Sequence, residues 1–199
     1  MKRILNCAKI YEFYQKTVGM PKLLKILVNN HLRISSGMSL LDLGCGTANV
    51  FKHLPEGVIY TGLDKSEKYI KYNRKKYPNH TFLCEDIEKM ESFDKTYDIV
   101  YLEAIISALD DELTKKLFKL IQTAATSKTR IVIADMNYYE GACFLQKFLQ
   151  KNERNSFVRT KDDYIKLLSP YFNIDKTVVI EGVLNIPYSS VVFECSLKD

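Results

Sequence analysis

The sequence predicts an α/β protein built on a doubly wound, mostly parallel sheet. Three observations carry this. Short apolar runs alternate with segments of helical character from Met38 to Ala134. Runs such as Ile131-Val132-Ile133-Ala134 show no polar alternation, as expected of strands covered on both faces. The C-terminal stretch then breaks the pattern with two strand-like runs that no long helix separates. Right-handed crossovers turn the first two features into a parallel sheet flanked by helices. The third adds an antiparallel pair at one edge.

The elements follow in order. Ile10, Phe13, Tyr14 and Val18 recur at helical spacing, Gly19 breaks the pattern, and Pro21 opens a second helix over Leu23–Leu32. Ser39–Leu43 reads as a strand ending in a glycine turn, and Ala48–Leu54 as a helix. Val58–Leu63 is a second strand. Ser66 caps a helix that ends near Pro78. Thr81–Cys84, Tyr97–Leu102 and Arg130–Ala134 are further strands. Asp110–Thr126 is a helix whose acidic first turn suits the helix dipole. Ala142–Asn155 reads as helical. Thr160 and Asp163 cap a helix that stops near Pro170. Ile174–Ile180 and Val191–Ser196 complete seven strands. The division expected is an N-terminal helical lid over 1–36 and a core over 37–199, forming one domain.

The 199 residues are enough for one domain, and 46% hydrophobic with 27% charged residues is ordinary for a globular chain. No apolar run approaches the roughly 18–20 residues of a membrane span. The start, Met1 to Lys9, is too polar for a signal-peptide core, which points to a cytoplasmic protein. Five scattered cysteines (Cys7, Cys45, Cys84, Cys143, Cys195) without a C-x-x-C pair argue against a zinc site, any other metal centre and a disulfide framework. A net charge of +5 is too small for a nucleic-acid binder's footprint. The Lys71–Lys76 run reads as a solvated helix face.

The chemistry concentrates in Leu40–Val50. Gly44 and Gly46 let the backbone approach a ligand closely. A dinucleotide-binding turn would need a third glycine, where Asn49 stands. Asp42, two residues before Gly44, would repel a pyrophosphate and suits the ammonium of an amino acid. Asp64 lies 22 positions after Asp42, at the end of the second strand, where a carboxylate can accept both hydroxyls of a ribose. Asp86 can accept from an adenine amino group, with Ile87 supplying a backbone N–H and apolar contact. Lys65 and Cys45 adjoin these positions. Cys45 invites a nucleophilic reading, but a tight turn often needs only a small residue.

Asp42–Thr47 (D-L-G-C-G-T), Asp64, Asp86-Ile87, the Tyr97–Leu102 strand and Ile131–Asp135 together resemble the class I S-adenosylmethionine-dependent methyltransferases. A Tyr-bearing first helix, Gly19–Pro21, Val158-Arg159-Thr160 with Tyr164, and Ile186-Pro187-Tyr188 resemble small bacterial members of unassigned substrate. The resemblance implies a Rossmann-like doubly wound seven-stranded sheet and S-adenosylmethionine as cofactor. It implies cofactor contacts at Asp42, Gly44, Cys45, Gly46, Asp64, Lys65, Asp86, Ile87 and Glu103, with Tyr11 and Tyr14 either in contact or packing above. Many small-molecule members carry a His pair after the fourth strand. This chain has Ser107-Ala108-Leu109-Asp110 there, so a histidine base is unavailable, and a proton lost by the acceptor would go to Glu103, one residue past that strand, to a tyrosine or to water.

The reading expected is methylation of a small molecule or carbohydrate, at oxygen. A nucleic-acid or protein methyltransferase is disfavoured by the charge and by the lack of an Asn-Pro-Pro-Tyr motif after the fourth strand. Asn185-Ile186-Pro187-Tyr188 is read instead as a turn on the rim of the site. A non-catalytic nucleotide-binding module is disfavoured by Asp42 and Asn49. His31, His53 and His80 read as surface or packing residues.

Overall fold

Two helices, α1 (Ala8–Thr17) and α2 (Met20–Ile26), precede the sheet, and α2 widens into a π-helical segment over Leu27–Leu32. The structure, a computed structural model, describes residues 8–137, 157–186 and 188–198. The helix expected over 142–155, Cys7, Cys143 and Pro187 lie outside the described residues.

Seven strands form one sheet: β1 (Ser39–Leu43), β2 (Ile59–Leu63), β3 (Thr81–Leu83), β4 (Ile99–Glu103), β5 (Arg130–Asn137), β6 (Phe172–Ile180) and β7 (Ser189–Leu197). Their order is β3-β2-β1-β4-β5-β7-β6. The first five run parallel, and β7 lies antiparallel to both β5 and β6. The fold is therefore the expected one: Rossmann-like, mostly parallel, with an antiparallel C-terminal pair.

Successive strand residues alternate between faces, and both faces are covered. Leu40, Ile99, Tyr101, Val132 and Ala134 pack beneath Leu23, Leu24, Leu27 and Val28 of the N-terminal helices. Leu41, Leu43, Val100, Leu102, Ile131 and Ile133 pack on the other side. They meet α4 (Asp111–Thr123) and α5 (Lys161–Leu168) through Leu117, Phe118, Ile121 and Leu168. Each such side chain contributes about 1.5–3 kcal/mol when fully buried. The unbroken apolar runs are thus two interleaved cores. A third long helix, α3 (Glu67–Lys76), turns Ile70 and Asn73 inward and leaves its lysines outside.

Helix ends follow the sequence signals at two places. Asp110 accepts from Leu113 N at 2.9 Å to cap α4, and Thr160 accepts from Asp163 N at 3.2 Å to cap α5. The helix expected over Ala48–Leu54 is a correction. Only one 3-10 turn forms, Val50–His53, because Ala48 takes a positive φ of 52° and bends the chain out of helical geometry. Among the described residues no helix is long and apolar enough to cross a membrane.

Gly62 in β2 is fixed by crowding. A Cβ there would lie 2.9 Å from Cys45 Sγ, 3.0 Å from a Tyr60 ring carbon and 3.1 Å from one of Phe82. We expect Gly62→Ala to destabilise the fold by about 1–3 kcal/mol, read as a lower urea midpoint. An unchanged midpoint would show that this junction has slack.

Candidate functional site

The strand order reverses between β1 and β4, so the loops leaving their carboxyl ends part and open a crevice. A cavity of about 500 Å³ lies there. Asp42, the glycine turn, Asp64, Lys65, Ile87 and Glu103 line it from the sheet side. Tyr11, Tyr14, Val18 and Met20 cover it from α1 and α2, and Leu184, Ile186 and Tyr188 from the β6–β7 connection.

The glycine turn is stitched in place from three sides. Gly44 has a φ of 67°, and a Cβ on it would fall 1.8 Å from Ile105 Cδ1, so no side chain fits. Cys45 N donates to Leu63 O at 2.9 Å. Gly46 N donates to Asp64 Oδ2 at 2.9 Å, while Ser66 N donates to Asp64 Oδ1 at 2.7 Å. Asn73, fully buried on α3, donates from Nδ2 to Gly46 O at 2.8 Å. With no regular helix after the turn, no helix terminus presents free amides to a phosphate.

The acids on the wall are poorly solvated. Asp42 is 3% exposed and accepts the Tyr60 hydroxyl at 2.5 Å. Burial pushes its carboxyl up to about 7 against that hydrogen bond, with Asp64 adding repulsion. Glu103 is the last residue of β4 and keeps a partial opening to the cavity. Desolvation, then the charges of Asp135 and Asp42, push it up to about 8. Desolvation also raises Asp64, opposed by the amides of Ser66 and Gly46. Burial, then Asp42 and Asp64, push the Cys45 thiol up, which removes the thiolate a nucleophile would need.

Five carboxyl side chains line the cavity (Asp42, Asp64, Glu85, Glu88, Glu103) against one ammonium among the described lining residues, Lys65. Lys65 is itself exposed and lies 3.5 Å from Glu88. The wall therefore carries an excess of negative charge that a cationic ligand would relieve.

Asp86 is placed differently from its neighbours. It heads a turn in which Oδ1 accepts from Glu88 N at 3.2 Å and its carbonyl accepts from Lys89 N at 2.8 Å. Asp86 does not line the cavity, whereas Glu85, Ile87 and Glu88 do.

The cover is also anchored. Tyr11 stacks on Tyr69 with centroids 5.6 Å apart. Glu12 on α1 accepts from Lys52 at 2.8 Å, Lys76 at 2.6 Å and Tyr72 at 2.9 Å. Burial raises its pKa, but these bonds prevail and hold it at about 2. On the far wall, Arg159 donates to Ile106 O, Leu109 O and Asp111 Oδ1 at 3.0, 2.9 and 2.7 Å. It fixes the β4–α4 loop that carries Ile105, Ala108 and Leu109 into the cavity wall.

Sequence reasoning missed Tyr60, Asn73 and Tyr101. Asn73 left one signal, a polar side chain in the inward stripe of α3. The two tyrosines read as ordinary strand residues.

Residues 34–175 match the methyltransferase domain family. The chain belongs to that family, the class I S-adenosylmethionine-dependent methyltransferases. It is 36% identical over 74 residues to a putative methyltransferase of Invertebrate iridescent virus 6, covering 36% of this chain and 28% of that one. It is 26% identical over 135 residues to a probable cobalt-precorrin-6B C(15)-methyltransferase (decarboxylating) of Thermoplasma acidophilum, covering 61% and 64%. The chain thus spans less than two thirds of the length of these curated relatives. A solved S-adenosylmethionine-dependent methyltransferase from Clostridium acetobutylicum shares the fold with a TM-score of 0.73 at 16% identity, over 96% of this chain and 98% of the other.

The acid wall of the crevice has a consequence for stability. Asp42 and Glu103 titrate near 7 and 8 in the folded chain, above their ordinary values of 3.8 and 4.5. The folded state then binds more protons than the unfolded state between these limits, so stability falls as pH rises through the window. We expect the melting temperature without ligand to drop by several degrees from about pH 6 to about pH 9, and Asp42→Asn to flatten the slope. A melting temperature that rises over this range would contradict the assignment.

Proposed function

We propose that this methyltransferase holds S-adenosylmethionine in the β1/β4 crevice and methylates a small molecule, at oxygen. The observation that carries the reading is the cation-poor cavity wall, whose buried acids match a ligand bearing an ammonium, a ribose diol and an adenine. When bound, the cofactor supplies an electrophilic methyl group on a sulfonium.

The chain's own residues divide the remaining work. Asp42 faces the ammonium, held in orientation by the Tyr60 hydroxyl. Asp64 accepts from the ribose hydroxyls with the lone pairs that Gly46 N and Ser66 N leave open. Ile87 packs on the adenine, and the acceptor for its amino group falls to Glu85 or Glu88 in place of Asp86. Tyr11 and Tyr14, on the helical cover within 1–36, exclude water from the crevice. The same donor set opposes a dinucleotide, because the Asp64 carboxylate already occupies the Gly46 amide that a pyrophosphate would need.

Glu103 is the base. An acceptor hydroxyl must lose its proton as its oxygen is alkylated. Glu103 lines the cavity and is raised to about 8, whereas Asp42, at about 7, is engaged by the Tyr60 hydroxyl and assigned to the ammonium. Turnover should therefore rise with pH as Glu103 ionises near 8. Holding the acceptor beside the cofactor supplies most of the rate enhancement, because the reaction is an in-line displacement between two oriented groups.

Calorimetry tests the binding half. S-adenosylhomocysteine is expected to bind, NAD to give no heat, and Asp64→Ala to weaken the former by about tenfold or more, since ribose loses a charged acceptor. Tight binding of NAD with none of S-adenosylhomocysteine would reject the reading. Once an acceptor is known, Glu103→Gln should abolish the alkaline rise in rate. A preserved rise would move the base elsewhere.

A further inference from the structure

The acceptor side of the crevice carries its own chemistry, and the inference drawn from it rests on the reading above. Tyr101 and Glu103 stand two residues apart on β4, so both project from the same face of the sheet. That face is the one covered by α1 and α2. Both side chains line the cavity. Tyr101 is 1% exposed, yet its hydroxyl has no hydrogen-bond partner among the described residues. A phenol is rarely buried with its hydroxyl idle, because the lost hydration is not recovered. In this case the residue that carries the idle hydroxyl lines a cavity, from which a partner can come.

The surroundings narrow what that ligand is. Its neighbouring charges are Glu103 and Asp42, both acids, and Asp42 is also its cross-strand partner in the β1–β4 register. The covering wall over it is apolar: Val18, Met20 and Leu24 from the helices, and Leu184 and Ile186 from the β6–β7 connection. Lys65 belongs to the β2 end of the cavity and is engaged with Glu88. Among the described residues that line the cavity, Lys65 is the only cationic side chain, so none stands beside Tyr101 and Glu103 to compensate a negative charge.

We propose that the methyl acceptor is an uncharged, largely apolar hydroxyl compound, such as a phenol, that Tyr101 is the residue that recognises its oxygen, and that carboxylate acceptors are excluded. Tyr101 donates its hydroxyl hydrogen to a lone pair of the acceptor oxygen. Glu103 accepts the acceptor's own proton. The acceptor oxygen is thereby fixed by two groups of one strand, and its apolar body lies against the helical cover. A carboxylate in the same place would satisfy Tyr101 but would meet the Glu103 carboxyl at close quarters, with no cationic side chain of the described residues beside it.

The test uses the protein saturated with S-adenosylhomocysteine and two probes of matched shape, a neutral naphthol and the corresponding naphthoate, followed by saturation-transfer NMR and calorimetry. The naphthol should bind, and the naphthoate should bind at least about tenfold more weakly. Tyr101→Phe should weaken naphthol by about fivefold or more, the value of one hydrogen bond, and leave S-adenosylhomocysteine affinity unchanged. Glu103→Gln should narrow the gap between the two probes. This variant also keeps the test alive if Tyr101→Phe fails to fold. Equal binding of the probes, no binding of either at about 1 mM, an undiminished naphthol affinity in Tyr101→Phe, or a gap unaltered in Glu103→Gln would overturn the proposal. A parallel loss of S-adenosylhomocysteine in Tyr101→Phe would also overturn it, since Tyr101 would then serve the cofactor. Failure of S-adenosylhomocysteine to bind the unmodified protein would sink the earlier reading instead, so the two failures are distinguishable.

Discussion

The bond from Gly46 N to Asp64 Oδ2 organises the crevice. It ties the bend after β1 to the tip of β2 and fixes the direction of a carboxylate whose other oxygen is held by Ser66 N. In phosphate-binding turns, amides such as that of Gly46 face an anionic ligand. In this chain an acid of the protein takes that place. The bend therefore presents negative charge and carbonyl oxygens to the cavity where a dinucleotide site presents amides. Asn73 reinforces the arrangement by occupying Gly46 O, so the turn is held from β2 and α3 at once.

The two-sided sheet explains why polar and apolar work can share one small cavity. Residues of one strand parity face the N-terminal helices, which places Asp42, Tyr101 and Glu103 in a row toward the carboxyl edge. The opposite parity builds the core under α4 and α5. Asp135 belongs to this second set. Its Oδ2 accepts from Ser107 N and its Oδ1 from Met136 N, so it props the β4–α4 loop from behind and raises Glu103 by its charge. The carboxyl ends of β4 and β5 thus place Glu103 beside the charge that raises it.

Much of this was legible in the sequence, and the rest was hidden for definite reasons. Strands covered on both faces give unbroken apolar runs, so β1, β4 and β5 could be read directly, and the two-strand ending gave the antiparallel β6–β7 pair. Asp42 and Asp64 were visible because each abuts a strand end and a glycine. The Ala48–Leu54 segment has helical composition, but its entry is set by a left-handed Ala48 that follows from the bend, a tertiary demand that propensity does not record. Asp86 was read as a ligand group from its place after β3, but the cavity lining runs through its neighbours Glu85, Ile87 and Glu88, and its Oδ1 accepts from Glu88 N. Tyr60 and Tyr101 look like core aromatics because their importance depends on Asp42 lying across the strand from one and beneath the hydroxyl of the other, and cross-strand neighbours are not written in sequence order.

Function and stability pull in opposite directions at the tips of β1 and β4. Burying Asp42 and Glu103 among further acids weakens the folded state whenever they ionise, and the Tyr60 hydroxyl offsets only part of that at Asp42. The chain offsets the deficit at a distance: Arg159 gathers two carbonyls of the β4–α4 loop and the Asp111 carboxylate at the start of α4, and Glu12 gathers Lys52, Lys76 and Tyr72 beneath α1. These clamps restrain the walls of the crevice without neutralising its floor. A cation entering the crevice supplies what the floor lacks, and by mass action it stabilises the folded chain in proportion to its affinity. The same acids that weaken the fold are therefore the ones that would favour a positively charged ligand, and removing the strain by substitution would remove that favour with it.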